Sequence, residues 1–326
     1  MLAEGTRDDI FEMSVRGQLE AVETALLRAA EAETPMVTEA AQHIIAAGGK
    51  RFRPLLVTLT AQLGPAAVDD DVVKAAVVVE LTHVASLYHD DVMDEARIRR
   101  GSVSANSRWG NTVAILVGDF LFARASDLVS ELGADYVSIQ ARTFARLVQG
   151  QIAETVGPQA GADPLDHYLQ VVADKTAALI STSALFGAKI SGCSPALQQR
   201  MGEFGEQIGL VFQLSDDIID ITSDVAGKTP GTDLREGIPT LPTLLARRST
   251  DPADARLLEL LDSDLREDAA LAEALTLLRR HPAIAQTRAE VERRADAARN
   301  LLDGLPVGPA RLALEELCTS VVTRSV

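Results

Sequence analysis

Apolar positions recur mostly at three- and four-residue spacing, and strand-like alternation is hard to find, so the chain reads as helix nearly throughout. The spacing predicts an amphipathic helix over 14–32 that ends before Pro35, a second over about 36–47, an apolar helix over 54–63, and a long helix over 72–96. In the last, Val77, Leu81, Val84 and Leu87 share helical spacing. Buried helices follow over 111–131, with Phe120 and Phe122, and over 135–156. Asp163-Pro164 opens a helix over 164–190, and another covers 195–222. Residues 222–241 are rich in Gly, Pro, Asp and Thr and read as a long loop of the kind that serves as a lid. Beyond it, helices are expected over about 242–248, 252–264, 266–280, 282–303 and 308–323. Residues 1–15 are expected to be frayed or a short docking helix. The fold class is all-α.

Two interruptions of the apolar pattern carry candidate chemistry. Near the end of the helix over 72–96 the chain presents Asp90, Asp91 and Asp94. Asp90 and Asp94 lie one turn apart on one face, where like charges destabilise a helix unless a cation joins them. Oxygen-only ligands suit a hard cation, and Mg2+ takes one or two carboxylates plus the phosphates of a substrate. The pattern returns in Phe212-Gln213-Leu214-Ser215-Asp216-Asp217-Ile218-Ile219-Asp220. One copy is weak evidence, because most charge runs are solvated helix faces. Two copies, each set in apolar helix where bare charge is costly, point to a site for several Mg2+ ions and a diphosphate. The two motifs serve that purpose only if they meet, so a single domain over 1–326 is expected.

Basic residues punctuate the same stretches. Gly48-Gly49-Lys50-Arg51-Phe52-Arg53-Pro54 places cations at a helix junction, where free N–H groups of the following helix favour an anion. Taken alone, it reads equally well as a solvated basic loop. Arg99 and Arg100 suit a planar, multi-oxygen anion, or simply end a helix. Asp174-Lys175-Thr176 is strongly polar within an apolar segment, and a buried lysine needs a phosphate or a carboxylate such as Asp174. Glu80-Leu81-Thr82-His83 matches the Glu-x-x-His of di-iron bundles, but such sites need two copies and there is one. His83 lies two turns before Asp90 on nearly the same face. It is either part of the site or a hydrogen-bonded core histidine. In the long loop, Lys228 and Asp233 are the candidate working residues.

Composition restricts the partners. Hydrophobic residues make up 47%, enough for a large core, and aromatics only 4%. A net charge of −16 argues against nucleic acid, and makes anionic substrates depend on metal ions and a few placed bases. Cys193 and Cys318 lack metal-binding spacing and imply buried thiols in a reducing compartment. The N-terminus has no apolar signal core and no apolar run reaches about 18 residues, so a cytoplasmic protein without a transmembrane segment is expected.

Together these motifs resemble those of the trans-polyprenyl diphosphate synthases. The likeness runs from about Gly48 to Leu317. It rests on the Gly48–Pro54 segment, His89 to Asp94 followed by Arg99-Arg100-Gly101, Asp174-Lys175-Thr176, Phe212 to Asp220, and Gly227-Lys228-Thr229-Pro230-Gly231-Thr232-Asp233, in the family's order. The resemblance implies the isoprenoid synthase fold, with helices around a deep central cavity, and a homodimer. It implies that Asp90 and Asp94, with Asp91, and Asp216, with Asp217 and Asp220, bind about three Mg2+ ions. It assigns Arg99, Lys175, Thr176, Gln213 and Lys228 to an allylic diphosphate, and Lys50, Arg53, His83 and Arg100 to metal-free isopentenyl diphosphate. The implied catalytic set is Asp90, Asp94, Asp216, Lys175, Thr176 and Gln213. The mechanism that the resemblance implies has metal ions and cations stabilising the departing diphosphate, the isopentenyl double bond attacking the allylic cation, and the released diphosphate taking the proton.

Product length is steric. Ala85 and Ser86, one turn before Asp90, are small where short-chain relatives carry bulky aromatics, which implies a long product of octaprenyl or nonaprenyl class for quinone side chains. Phe120 and Phe122 are candidates for the cavity floor or plain core. Such an apolar product suggests peripheral contact with a membrane on release. Rival readings are a short-chain farnesyl or geranylgeranyl synthase, a terpene cyclase, which has no need of Lys50, Arg53 and Arg100, and a non-catalytic partner subunit, which usually lacks an acidic motif.

Overall fold

The structure, a computed structural model of the chain, describes residues 4–65, 69–222 and 230–323. Its helices are α1 (Glu4–Ala29), α2 (Pro35–Ala46), α3 (Phe52–Ala61), α4 (Asp69–Met93), α5 (Ala105–Trp109), α6 (Asn111–Leu132), α7 (Ala134–Val156), α8 (Pro164–Val172), α9 (Ala178–Ile190) and α10 (Pro195–Thr222). They continue as α11 (Thr232–Glu236), α12 (Leu241–Ala246), α13 (Ala255–Leu261), α14 (Asp268–Arg280), α15 (Pro282–Asn300) and α16 (Pro309–Thr323). The ends follow local chemistry. Prolines open α2, α8 and α15, where a missing N–H costs nothing. Asp163 accepts from Leu165 N at 2.8 Å to cap α8.

Four features depart from the expected pattern. Helix α11 (Thr232–Glu236) forms within the stretch read as a long loop over 222–241. Helix α1 begins at Glu4 and runs without a break into the helix expected from residue 14, instead of leaving a frayed end or a separate short docking helix. Helix α4 ends at Met93, and its sequel is a small antiparallel hairpin, β1 (Ile98–Arg99) and β2 (Ser102–Val103), turned by Arg100 and Gly101 at φ 52° and 76°. The long helix expected over 164–190 contains a π turn, Ala173–Ala177, between α8 and α9.

The chain packs as two compact units. The first is drawn from Met1–Ala145, Leu179–Gly205 and Leu305–Ala313. Its core includes Leu26, Ile44, Leu56, Val78, Leu81, Val84, Leu121, Ile180, Phe186 and Phe204. Tyr88 of α4 is fully buried there, and its hydroxyl donates to Ala40 O of α2. Helix α4 is long and apolar enough to cross a membrane, but 67% of its apolar window is buried, as in a core helix. The second unit comprises Arg146–Ala178, Glu206–Gly304 and Leu314–Val326. Ile221, Leu234, Ala246, Leu257, Leu260, Leu271, Leu278 and Ile284 form one cluster within it.

Candidate active site

In the first unit the last turn of α4 carries Asp90, half-buried; Asp94, exposed, follows directly after the helix, its N–H donating to Asp90 O at 2.8 Å. Asp91 points inward and is fully buried. Arg99 Nε donates to Asp91 Oδ1 at 2.6 Å, and Asn106 Nδ2 donates to the Asp91 carbonyl at 2.9 Å. Burial pushes the Asp91 carboxyl up while Arg99 draws it down. Asp91 therefore anchors Arg99 and the hairpin to α4, and lacks the open face of Asp94.

Around α4 lies a cluster of cations. Arg100 Nη1 donates to Ile44 O at 3.2 Å and to Gly48 O, and its Nη2 lies 3.7 Å from Glu80. Gly49 lets the guanidinium lie close to the backbone here: a Cβ there would meet the Arg100 guanidinium carbon at 3.0 Å. Arg53 is the least compensated member. Its Nε is buried with no hydrogen-bond partner among the described residues, and burial lowers the guanidinium to about 10, with Arg100 adding to the effect. Burial, then Arg53, Arg100, Arg99 and Arg51 in turn, hold His83 well below its ordinary 6.5, so the imidazole is neutral. Lys50 is exposed on the loop before α3. Glu80 balances the group: it is 2% exposed and accepts from Arg51 Nη1 at 3.0 Å.

In the second unit, Asp216 and Asp220 are half-buried on the last turns of α10, whereas Asp217 is 1% exposed. Asp217 accepts from Tyr168 Oη, from Leu241 N at 3.0 Å and from Gln213 Nε2 at 3.3 Å. Gln213 Oε1 in turn accepts from Thr176 Oγ1 at 3.3 Å. Asp217 thus orients Gln213 and, through it, Thr176. Burial raises Asp217 to about 6. Asp220 accepts from Thr232 N and Asp233 N at the start of α11. Burial, then Asp220, Asp217, Glu236 and Asp216, push Asp233 up to about 7. Such crowding is relieved by a proton or a cation. Among the described residues no three His, Cys, Asp or Glu side chains converge to hold a metal ion alone. The donor set fits Mg2+, which takes few carboxylates and completes its shell with phosphate oxygens and water.

Lys175 and Thr176 lie on the π turn, a helix irregularity frequent at functional sites. The sequence suggested Asp174 as a partner for Lys175. Instead Lys175 Nζ pairs with Glu154 at 2.5 Å, while Asp174 accepts from Arg146 Nε at 2.7 Å. Arg146 Nη2 also donates to Glu206 Oε1 at 2.9 Å. Gly150 of α7 abuts the turn, and a Cβ there would lie 2.7 Å from Lys175 N. Ala85 is fully buried in the first unit, while Ser86 is half-buried and its Oγ donates to His83 O at 2.8 Å. Lys228 lies outside the described residues.

Sequence reasoning missed Glu80 as a working residue, having weighed it only as half of a metal motif. It also missed Tyr168, Glu154 and Arg146. A buried cation group calls for a counter-ion, but nothing in the sequence says which helix supplies it.

An arginine–histidine group with an unmet buried donor in one unit, and crowded carboxylates beside a lysine-bearing π turn in the other, define an all-α protein equipped to hold polyanions and cations. The chain belongs to the polyprenyl synthetase family, whose model matches residues 34–278. It is 45% identical over 319 residues to nonaprenyl diphosphate synthase of Mycobacterium tuberculosis, covering 97% of this chain and 95% of that one. A decaprenyl diphosphate synthase from Rhodobacter capsulatus superposes with a TM-score of 0.87 at 33% identity, over 98% of this chain and 99% of that one. Geranylgeranyl pyrophosphate synthase from Corynebacterium glutamicum, complexed with calcium and isoprenyl diphosphate, gives 0.86 at 43% identity, over 95% and 96%.

Proposed function

We propose that this protein is a Mg2+-dependent prenyltransferase. It condenses isopentenyl diphosphate with an allylic diphosphate to make a long-chain all-trans polyprenyl diphosphate, of octaprenyl or nonaprenyl class, for quinone side chains. The observation that carries the reading is the buried Arg53 Nε without a partner, in a cluster with Arg100 and neutral His83. A buried unmet donor of a charged group is costly unless a ligand meets it. Likeness to the nonaprenyl and decaprenyl synthases supports the product class.

The residues divide the work. Lys50, Arg53 and Arg100 hold the diphosphate of isopentenyl diphosphate, with His83 as a neutral hydrogen-bonding neighbour. Asp90, Asp94 and Asp216 hold Mg2+, with Asp220 beside Asp216, whereas Asp91 and Asp217 position their neighbours. Bound Mg2+ supplies Lewis-acid stabilisation of the departing diphosphate. Lys175, Arg99 and Lys228 add fixed positive charge to the same leaving group. Gln213, bonded to Asp217, which Tyr168 holds in turn, accepts from Thr176 within the π turn and so positions its hydroxyl. Exposed Ile115 and Leu116 on α6, and Val137, Val148 and Ile152 on α7, support assembly as a homodimer.

The test is a product assay with Mg2+, labelled isopentenyl diphosphate and farnesyl or geranylgeranyl diphosphate as primer. A ladder ending at about eight or nine isoprene units is expected, with Asp90→Ala and Asp216→Ala each lowering kcat by roughly 100-fold or more. A ladder ending at three or four units keeps the chemistry and refutes the length. No product with any primer refutes the proposal.

A further inference from the structure

The family match begins at residue 34, beyond the end of α1. The structure nevertheless ties α1 to the arginine cluster. Glu23 of α1 receives the Arg51 guanidinium as a fork, Nε to Oε1 and Nη2 to Oε2, the latter at 2.9 Å. The same guanidinium donates from Nη1 to Glu80 Oε1 at 3.0 Å and from Nη2 to Ile45 O at 2.8 Å. With these bonds the Arg51 side chain is 9% exposed. Its backbone is left-handed, φ 45°, which a residue with a side chain sustains only where its surroundings enforce it.

Arg51 and Arg53 therefore do opposite things. Arg53 keeps a buried donor unmet, whereas Arg51 is spent on protein acceptors. We propose that Glu23 is a positioning residue for isopentenyl diphosphate: through Arg51 it holds the Gly48–Pro54 loop in the strained form from which Lys50 and Arg53 meet the substrate. The inference rests on the assignment of that loop under Proposed function.

The electrostatics run the same way. Glu80 is shared, since it attracts Arg51, Arg53 and Arg100. Without Glu23, Arg51 has Glu80 as its remaining carboxylate partner among the described residues and competes for it with Arg100, which sits 3.7 Å away. Losing Glu23 thus disturbs the loop and Arg100 together, and both belong to one substrate. The allylic substrate has no such dependence.

Steady-state kinetics of Glu23→Ala and Glu23→Gln, with melting temperatures alongside, test this. Glu23→Ala should raise KM for isopentenyl diphosphate about tenfold and leave KM for the allylic diphosphate within about twofold. Glu23→Gln, which keeps an acceptor and loses the charge, should fall between. Arg51→Lys combined with Glu23→Ala should cost little more than either alone. An unmoved KM in Glu23→Ala, or an equal rise for both substrates with a lowered melting temperature, overturns the inference while leaving the proposed function intact. Wild-type protein without product removes the proposed function, and this inference with it.

Discussion

His83 sits among four arginines, and its charge state follows from that company. The folded chain binds fewer protons there than the unfolded chain, whose imidazole titrates near 6.5. Stability is unaffected by this group well above 6.5 and is lost as pH falls through and below it. The melting temperature should therefore drop further between pH 7.5 and 5.5 in the wild type than in His83→Gln. Equal drops would show that the imidazole takes up its proton in the fold as readily as in the unfolded chain. At this scale the sequence was legible in residue type more than in orientation. Each acidic triplet announced itself, but that the middle carboxylates, Asp91 and Asp217, are turned inward depends on tertiary partners: Arg99 and Asn106 for one, Tyr168 and Leu241 for the other. Those partners lie on other elements, where local periodicity carries no information.

Helix periodicity located the long elements because each buries a stripe of apolar residues with a 3.6-residue repeat. It could not place the hairpin over 98–103, too short for any period, nor the π turn within 164–190, which leaves the apolar count unchanged. Both irregularities bear proposed substrate residues. The π turn yields a test at this scale. Gly150→Ala puts a methyl 2.7 Å from Lys175 N, and backbone cannot give way as a flexible side chain does. Helical content should persist by circular dichroism while kcat falls by roughly 100-fold, the penalty of a small misplacement of a catalytic group. Unchanged turnover would show that the turn tolerates displacement and that Lys175 needs no fixed station.

On the scale of the whole molecule, the chain combines a net charge of −16 with a proposed diphosphate site built from arginines that are largely out of the solvent. Such a charge was readable from composition, and the expectation against a nucleic-acid partner rested on it. What composition conceals is that the cations are gathered, and that burial shields them from ions in solution far more than it shields the acidic surface. A diphosphate approaching from afar meets net repulsion, and meets attraction only at close range. Added salt weakens the first effect: the screening length shrinks from about 30 Å at 0.01 M to about 10 Å at 0.1 M. The rate of capture at low substrate, read as kcat/KM for isopentenyl diphosphate, should therefore rise as potassium chloride is added over that range. Most charged ligands are drawn to oppositely charged proteins and are slowed by salt; this protein should be hastened by it, and so be tuned to work in the ionic medium of a living cell rather than in dilute buffer.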